Sequence, residues 1–282
     1  MQALVLCNTD GMPRDEWLEW RRKGIGSSDA AAICGLSPWR SPWAVWLDKL
    51  GQLPDEGENE RMYWGRVLED VVASEFGRRT GYPIEKVSNM LRHPVHPYMI
   101  CNLDYVTQDN DGTAIVECKT SSAFNSEQWV DVPQQYILQA HHQMAVTGHR
   151  RTYIPVLIGG NEFLIKQVER DEEIITLLIE REQEFWQMVE TRTPPTPDAQ
   201  DTQIINHLYE VEEGEIAYLD LEDEAHIEAY LQARSEESAW KKRKDIAANI
   251  LKQKLGAAEV AVLAGIERVW WRGKKERRFS CK

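Results

Sequence analysis

A chain of 282 residues with 42% hydrophobic and 28% charged side chains can bury a sizeable core, as one large domain or as a core with an appendage. Its formal net charge of −13, from 33 Lys and Arg against 46 Asp and Glu, excludes non-specific coating of a polyanion, so any contact with nucleic acid has to be confined to a local basic channel or pocket. The five cysteines (Cys7, Cys34, Cys101, Cys118, Cys281) are odd in number and never form a Cys-x-x-Cys pair, which argues against a disulfide scaffold and against a zinc or iron–sulfur site.

Along the chain, Asp15–Trp20 reads as a short helix entering Gly24-Ile25-Gly26-Ser27-Ser28-Asp29, where Ser28 or Asp29 is placed to cap a helix through Ala30–Ile33. Ser41-Pro42 opens a further helix that Gly51 closes. Val67, Leu68, Val71, Val72 and Phe76 recur at helical intervals between Tyr63 and Thr80, with Gly81 as the stop. Tyr98–Val106 reads as a strand, turning at Gln108–Gly112 into a second strand, Thr113–Thr120. Pro133 starts a helix to about Val146, and Thr152–Ile158 with Glu162–Val168 forms a hairpin across Gly159-Gly160. The amphipathic segment Asp171–Glu190 closes the core. The class is therefore α/β or α+β, a mixed or mostly antiparallel sheet flanked by helices.

Thr193-Pro194-Pro195-Thr196-Pro197 reads as a linker. It sets a core of residues 1–195 apart from a mostly helical appendage, residues 196–282, with a helix from about Glu222 to Leu255 and a strand at Glu267–Arg272. The appendage is electrically divided. Residues 201–240 hold twelve acids and one base, and residues 241–282 hold thirteen bases and four acids. Its Lys241-Lys242-Arg243-Lys244 run and the segment from Trp270 to Arg278 could grip DNA or could pair with the acidic stretch. No apolar run approaches the ~18 residues of a membrane helix, and Met1–Cys7 has no basic leader, so a cytoplasmic protein without membrane partners is expected.

The strongest chemical signal joins Asp104 on the first hairpin strand to Glu117-Cys118-Lys119 on the second. Alternation along a strand turns Glu117 and Lys119 to one side and Cys118 to the other. Two carboxylates within ~4 Å repel by ~4 kcal/mol at an effective dielectric of ~20, so a cation between them is expected. Magnesium suits such oxygen ligands, with the Cys118 backbone carbonyl as a further donor and Lys119 beside the attacking water. Glu69 borders the apolar stripe of its helix. Tyr136, Gln139, Gln143 and Met144 share one face of theirs, and could be structural or could line a site. Arg21, in the basic run Arg21-Arg22-Lys23, reads from the residues alone as an exposed charge, although a guanidinium, a hydroxyl such as that of Ser28 and a helix start together could hold an anion.

Trp64-Gly65-x-x-x-Glu69, Asp104, Glu117-x-Lys119 and Tyr136-x-x-Gln139, preceded by Trp17-x-x-x-Arg21 and Gly26-Ser27-Ser28-Asp29-Ala30, resemble the lambda-exonuclease (YqaJ-like viral recombinase) branch of the PD-(D/E)xK nucleases. The resemblance spans roughly Trp17 to Glu190. Leu103 stands where the branch's nominal pattern has proline. The resemblance implies a restriction-endonuclease-like core and a magnesium-dependent (manganese substituting) 5′-to-3′ exonuclease on double-stranded DNA ends. A phage or prophage origin, a ring-shaped trimer and a single-strand annealing protein as partner are also implied. By position, Asp104, Glu117 and the Cys118 carbonyl would hold metal, with Glu69 completing the set directly or through water. Lys119 would activate the water, Gln139 would orient the water or Lys119, and Arg21 with Ser28 would hold the 5′-phosphate. The rival readings are an endonuclease using the same metal site and a non-catalytic module that binds DNA ends.

Overall fold

The computed structural model describes residues 3–53, 57–209, 213–272 and 278–281. The chain divides into two compact units, Met1–Glu210 and Val211–Lys282. The proline run at 193–197 therefore lies inside the first unit rather than at its edge. Residues 198–209 stay with that unit because Ser41 Oγ donates to the buried Asp201 carboxylate at 2.6 Å, and because Ile204, Ile205 and Leu208 pack on the main apolar core.

In the first unit the elements run β1 (Leu4–Asn8), α1 (Arg14–Arg22), α2 (Ala30–Ile33), α3 (Pro42–Lys49), α4 (Glu60–Thr80), β2 (Ile84–Lys86), β3 (Asn89–Arg92), β4 (Ile100–Asn102), β5 (Tyr105–Asp109), β6 (Gly112–Val116), β7 (Lys119–Ser121), α5 (Gln134–Thr147), β8 (Arg151–Ile158), β9 (Glu162–Glu169), α6 (Glu172–Thr191) and α7 (Thr202–Leu208). The main sheet is mixed. β2, β5 and β6 pair antiparallel, β8 lies parallel to β6 and then to β7, and β9 closes the far edge antiparallel to β8. A smaller antiparallel sheet is formed by β1, β3 and β4.

Local chemistry sets the helix ends. Ser41 accepts from the Ala44 N–H with Pro42 in the first turn, Asn59 accepts from the Met62 N–H, and Asp171 accepts from the N–H groups of Glu173 and Ile174. Gly81 and Gly148 close α4 and α5 at φ 74° and 81°, a backbone region that costs glycine nothing. Side-chain alternation then sorts the sheet's faces. Ile115, Ile154, Val156 and Ile158 point into the core with α5 and α6, while Ala114, Val116 and Tyr153 point the other way onto Ala73 and Phe76 of α4.

Both strands expected to carry the chemistry are broken. Instead of one strand over Tyr98–Val106, β4 belongs to the small sheet and β5 to the main one, with Leu103-Asp104 crossing between them. Buried Leu103 anchors that crossing in the main core. Instead of Thr113–Thr120, β6 and β7 are separated by Glu117-Cys118, although the Glu117 N–H still donates to Tyr153 O at 2.9 Å. Asp104 and Glu117 thus sit just beyond the Tyr105–Val116 pair, at matched interruptions.

The second unit consists of α8 (Glu224–Leu255) and a three-stranded antiparallel sheet of β10 (Val260–Leu263), β11 (Ile266–Arg272) and β12 (Arg278–Cys281). Residues 273–277 of the basic segment between Trp270 and Arg278 lie outside the described residues. Among the described residues, no helix is long and apolar enough to cross a membrane.

Candidate active site

The interruption of the sheet is lined from both faces. Glu117 is buried, and its two oxygens are fully engaged: Oε1 accepts from Lys119 Nζ at 2.7 Å and Gln139 Nε2 at 2.6 Å, and Oε2 accepts from Gln143 Nε2 at 2.7 Å. Both glutamines come from α5, one turn apart, which is why they reach one carboxylate. Asp104 is part-buried and accepts the Cys118 N–H at 2.8 Å, which ties the two interruptions together. The Cys118 side chain packs on the α4 face instead, away from Glu117. The Tyr136 ring lies 5.0 Å from Lys119 Nζ and stacks on Trp129 at 5.3 Å. Exposed Trp39 stands 6.2 Å further out.

Electrostatics make these groups one cluster. Burial raises the Asp104 carboxyl well above the usual range, and the charges of Glu117 and Glu69 raise it further. Burial likewise lifts Glu69, with Lys86 pulling against it and Glu117 adding to it; Lys86 Nζ lies 3.8 Å from Glu69 and 2.7 Å from Asp70. Burial works to lower the Lys119 pKa, but Glu117 and Asp104 outweigh it and hold the ammonium charged well above the ordinary lysine range. As the cluster stands, Lys119 is a hydrogen-bond donor and cannot take a proton.

The donor set fits a hard divalent cation in kind: three carboxylates and a backbone carbonyl, with the one thiol turned away. Among the described residues, no three His, Cys, Asp or Glu side chains are gathered tightly enough to hold an ion as they stand, because Glu117 is turned onto Lys119, Gln139 and Gln143. The excess of negative charge is the feature a cation would relieve. Asp104→Asn should accordingly stabilise the metal-free protein, since a raised carboxyl pKa means that the charged form costs stability at neutral pH. Urea denaturation in EDTA checks this, and an equal or lower midpoint would contradict it.

A second constellation lies at the end of α1. Arg21 Nη2 is 3.1 Å from Ser28 Oγ and reaches both oxygens of Asp29, at 3.1 and 3.2 Å. Asp29 is 1% exposed and also takes Lys49 Nζ at 2.6 Å, Arg40 at 3.4 Å and the Gly26 N–H at 3.1 Å. Asp29 is thus the hub of a cationic cluster and makes no side-chain cap for α2. Burial alone would raise its pKa, yet Lys49, Arg21 and Arg40 together hold it far below the usual carboxylate range. Ser28 is exposed beside Arg21, so a guanidinium and a hydroxyl face solvent over a buried counter-charge. The turn 27–29 packs against α5, the helix that carries Gln139 and Gln143. His142 fixes α5 from behind, with Nδ1 2.8 Å from Glu182 and Nε2 2.9 Å from Ile100 O.

The structure therefore brings Asp104, Glu117, Lys119, Gln139 and, through its field, Glu69 into one cluster, and joins Arg21 to Ser28 in another. Sequence reasoning did not assign Arg40 or Lys49 to the second cluster, or Lys86 to the first. The only signal was a charged residue at the end of an apolar helix, as in Lys49 after Trp43–Leu47.

A mixed sheet between helices, with carboxylates at the interruption of a central strand, is the restriction-endonuclease-like fold. A family model described as the YqaJ-like viral recombinase domain matches residues 16–150. The uncharacterized protein YqaJ of Bacillus subtilis (strain 168) is 37% identical over 278 residues, which is 95% of this chain and 86% of that one. The chain belongs to the YqaJ-like viral recombinase family. Among solved structures, the alkaline exonuclease LHK-Exo of Laribacter hongkongensis has a TM-score of 0.52 at 18% identity, covering 63% of this chain and 93% of that one. The structure of LHK-Exo in complex with dAMP is similar to the same extent, with a TM-score of 0.52 at 19% identity. These likenesses show the fold.

Proposed function

We propose that this protein is a magnesium-dependent exonuclease that digests one strand of a DNA duplex from its 5′ end and leaves a 3′ single strand for an annealing protein. The observation that carries this reading is the single electrostatic cluster of Asp104, Glu117, Glu69 and Lys119 at the sheet interruption. It is supported by the fold shared with a structure described as an alkaline exonuclease.

Asp104, Glu117 and the Cys118 carbonyl would hold the cation, with Glu69 directly or through water. Magnesium, when bound, supplies a Lewis acid that neutralises charge on the phosphoryl oxygens. The chain's own groups do the rest. Lys119 holds the attacking water by donation and offsets negative charge as the phosphorus becomes five-coordinate. Gln139 and Gln143 fix Glu117, and Tyr136 shields the ammonium. Arg21 and Ser28 take the 5′-terminal phosphate, which makes the reaction end-dependent. The resemblance adds a homo-oligomer, with a ring trimer as the form it implies. A ring suits an acidic exterior, since a threaded duplex needs only a local basic lining.

The test uses linear duplexes carrying either a 5′-phosphate or a 5′-hydroxyl, alongside closed circular DNA. Digestion should proceed from the 5′ end, favour the phosphate and spare the circle. Arg21→Ala should lower the preference for the phosphorylated end about tenfold or more, the loss of one charge-assisted contact. Nicking of the circle would point to the endonuclease reading, and an unchanged preference in the variant would remove Arg21 from the phosphate site.

A further inference from the structure

A single exposed tryptophan on a protein surface needs no explanation, but Trp39 is held in place. Ser37 Oγ accepts the N–H groups of Trp39 and Arg40, at 3.2 and 3.3 Å. Arg40 in turn donates to Asp29 at 3.4 Å and to Asp48 at 3.1 Å, so the chain on either side of the indole is pinned. The ring lies 6.2 Å from that of Tyr136, tilted by 40°, and Tyr136 stacks on Trp129. This aromatic series is closed at its inner end, where Trp129 is buried, and open at its outer end, where Trp39 is 60% exposed.

Trp39 also touches both clusters of the candidate active site. It is one residue from Arg40, which shares the Asp29 carboxylate with Arg21, and one ring from Tyr136, which covers Lys119 at 5.0 Å. With the 5′-terminal phosphate at Arg21 and Ser28 and the next phosphodiester at Lys119, the sugar joining them carries the base of the terminal nucleotide. An indole has no charge and a single N–H, so it suits the flat face of a base and not a phosphate, for which the neighbouring cations already serve. Stacking accepts all four bases because each has a π-face, a tolerance that digestion through arbitrary sequence requires. A platform already ordered by Ser37 and Tyr136 loses little freedom on receiving a further ring.

We infer that Trp39 stacks on the base of the 5′-terminal nucleotide and holds it while the phosphates on either side of its sugar occupy the two clusters. This rests on the end-dependent reading of Arg21 and Ser28 given above.

The experiment titrates the full chain, in calcium, with 5′-phosphorylated duplexes whose 5′-terminal nucleotide either carries its base or is abasic. The wild type should bind the abasic end about tenfold more weakly, the scale of one base stacked on one aromatic ring. Trp39→Ala should bind the intact end about tenfold more weakly and should bind both ends alike, and Trp39→Phe should recover most of the difference. Using the same two DNAs with each protein separates lost stacking from any loosening of the duplex end. Equal binding of the two ends by the wild type, or undiminished discrimination by Trp39→Ala, would overturn the inference. So would a lower mass of Trp39→Ala by sedimentation equilibrium with the discrimination kept, which would assign Trp39 to a contact between copies. Parallel titrations with 5′-hydroxyl ends keep the two readings apart. A preference for phosphate with indifference to the base removes the stacking role of Trp39 alone, and indifference to both removes the end-dependent reading as well.

Discussion

Lys119→Met should lower kcat for duplex digestion by about 10³-fold while leaving the affinity for a 5′-phosphorylated end within a few-fold of wild type. The ammonium sits 2.7 Å from Glu117 and is held charged by Glu117 and Asp104, so methionine keeps the packing against Tyr136 and removes the donor together with its charge. Binding should survive because the proposed end contacts, Arg21 and Ser28, form a separate cluster. Gln139 and Gln143 continue to donate to Glu117, but the buried carboxylates lose their ammonium, so the variant should be less stable in EDTA and regain stability on adding a divalent cation. Single-turnover digestion together with a binding titration in calcium separates the two effects. Turnover within tenfold of wild type would contradict the role given to Lys119.

Asp29→Asn should cost about 3–5 kcal/mol, the range for breaking a buried ion pair by removing one partner. The Lys49 side chain is 0% exposed, and neutralising Asp29 would take away the carboxylate that it and Arg21 share, whereas Arg40 keeps Asp48 at 3.1 Å. The pH dependence has a definite sign. A carboxyl whose folded pKa is depressed contributes stability above its ordinary value and loses that contribution as pH falls through the lower one. The gap between wild type and variant should therefore be full at pH 7 and narrow on acidification below about pH 4. Urea denaturation at pH 7 and at pH 3.5 measures it. A gap under 1 kcal/mol at pH 7, or one that widens in acid, would contradict this account. The variant should also lose preference for phosphorylated ends, since Asp29 holds Arg21 beside Ser28.

These two residues show what the sequence could and could not disclose. Glu117 and Lys119 were legible because strand alternation needs only local spacing, and Gln139 and Gln143 because a helix repeats every turn. The mixed sheet between helices was legible from hydrophobic periodicity, and the caps at Ser41 and Asp171 from their residue types. The local pattern, a serine and a small acid before an alanine run, offers Ser28 or Asp29 as a helix cap and hides Asp29's place at the centre of the cationic cluster. Its partners Arg40 and Lys49 arrive 11 and 20 residues later and are set by tertiary packing. The breaks at Asp104 and Glu117-Cys118 were hidden for the same reason. A continuous run of strand-forming residues carries no mark of the point where the chain changes sheets. The short strands β1 and β3 were missed because their mixed exposure gives no clean alternation. The acidic–basic division of the appendage was plain in composition, but only the continuity of α8 shows that its halves cannot meet within one chain.

The central claim is that Asp104, Glu117 and Glu69 converge on a divalent cation beside Lys119. Isothermal titration of the full-length protein with magnesium, repeated with manganese, tests it without relying on turnover. Saturable binding is predicted for the wild type, with a rise in melting temperature on adding metal, and loss of both in Asp104→Asn and in Glu117→Gln. No binding by the wild type, or binding of equal strength in both variants, would contradict the account.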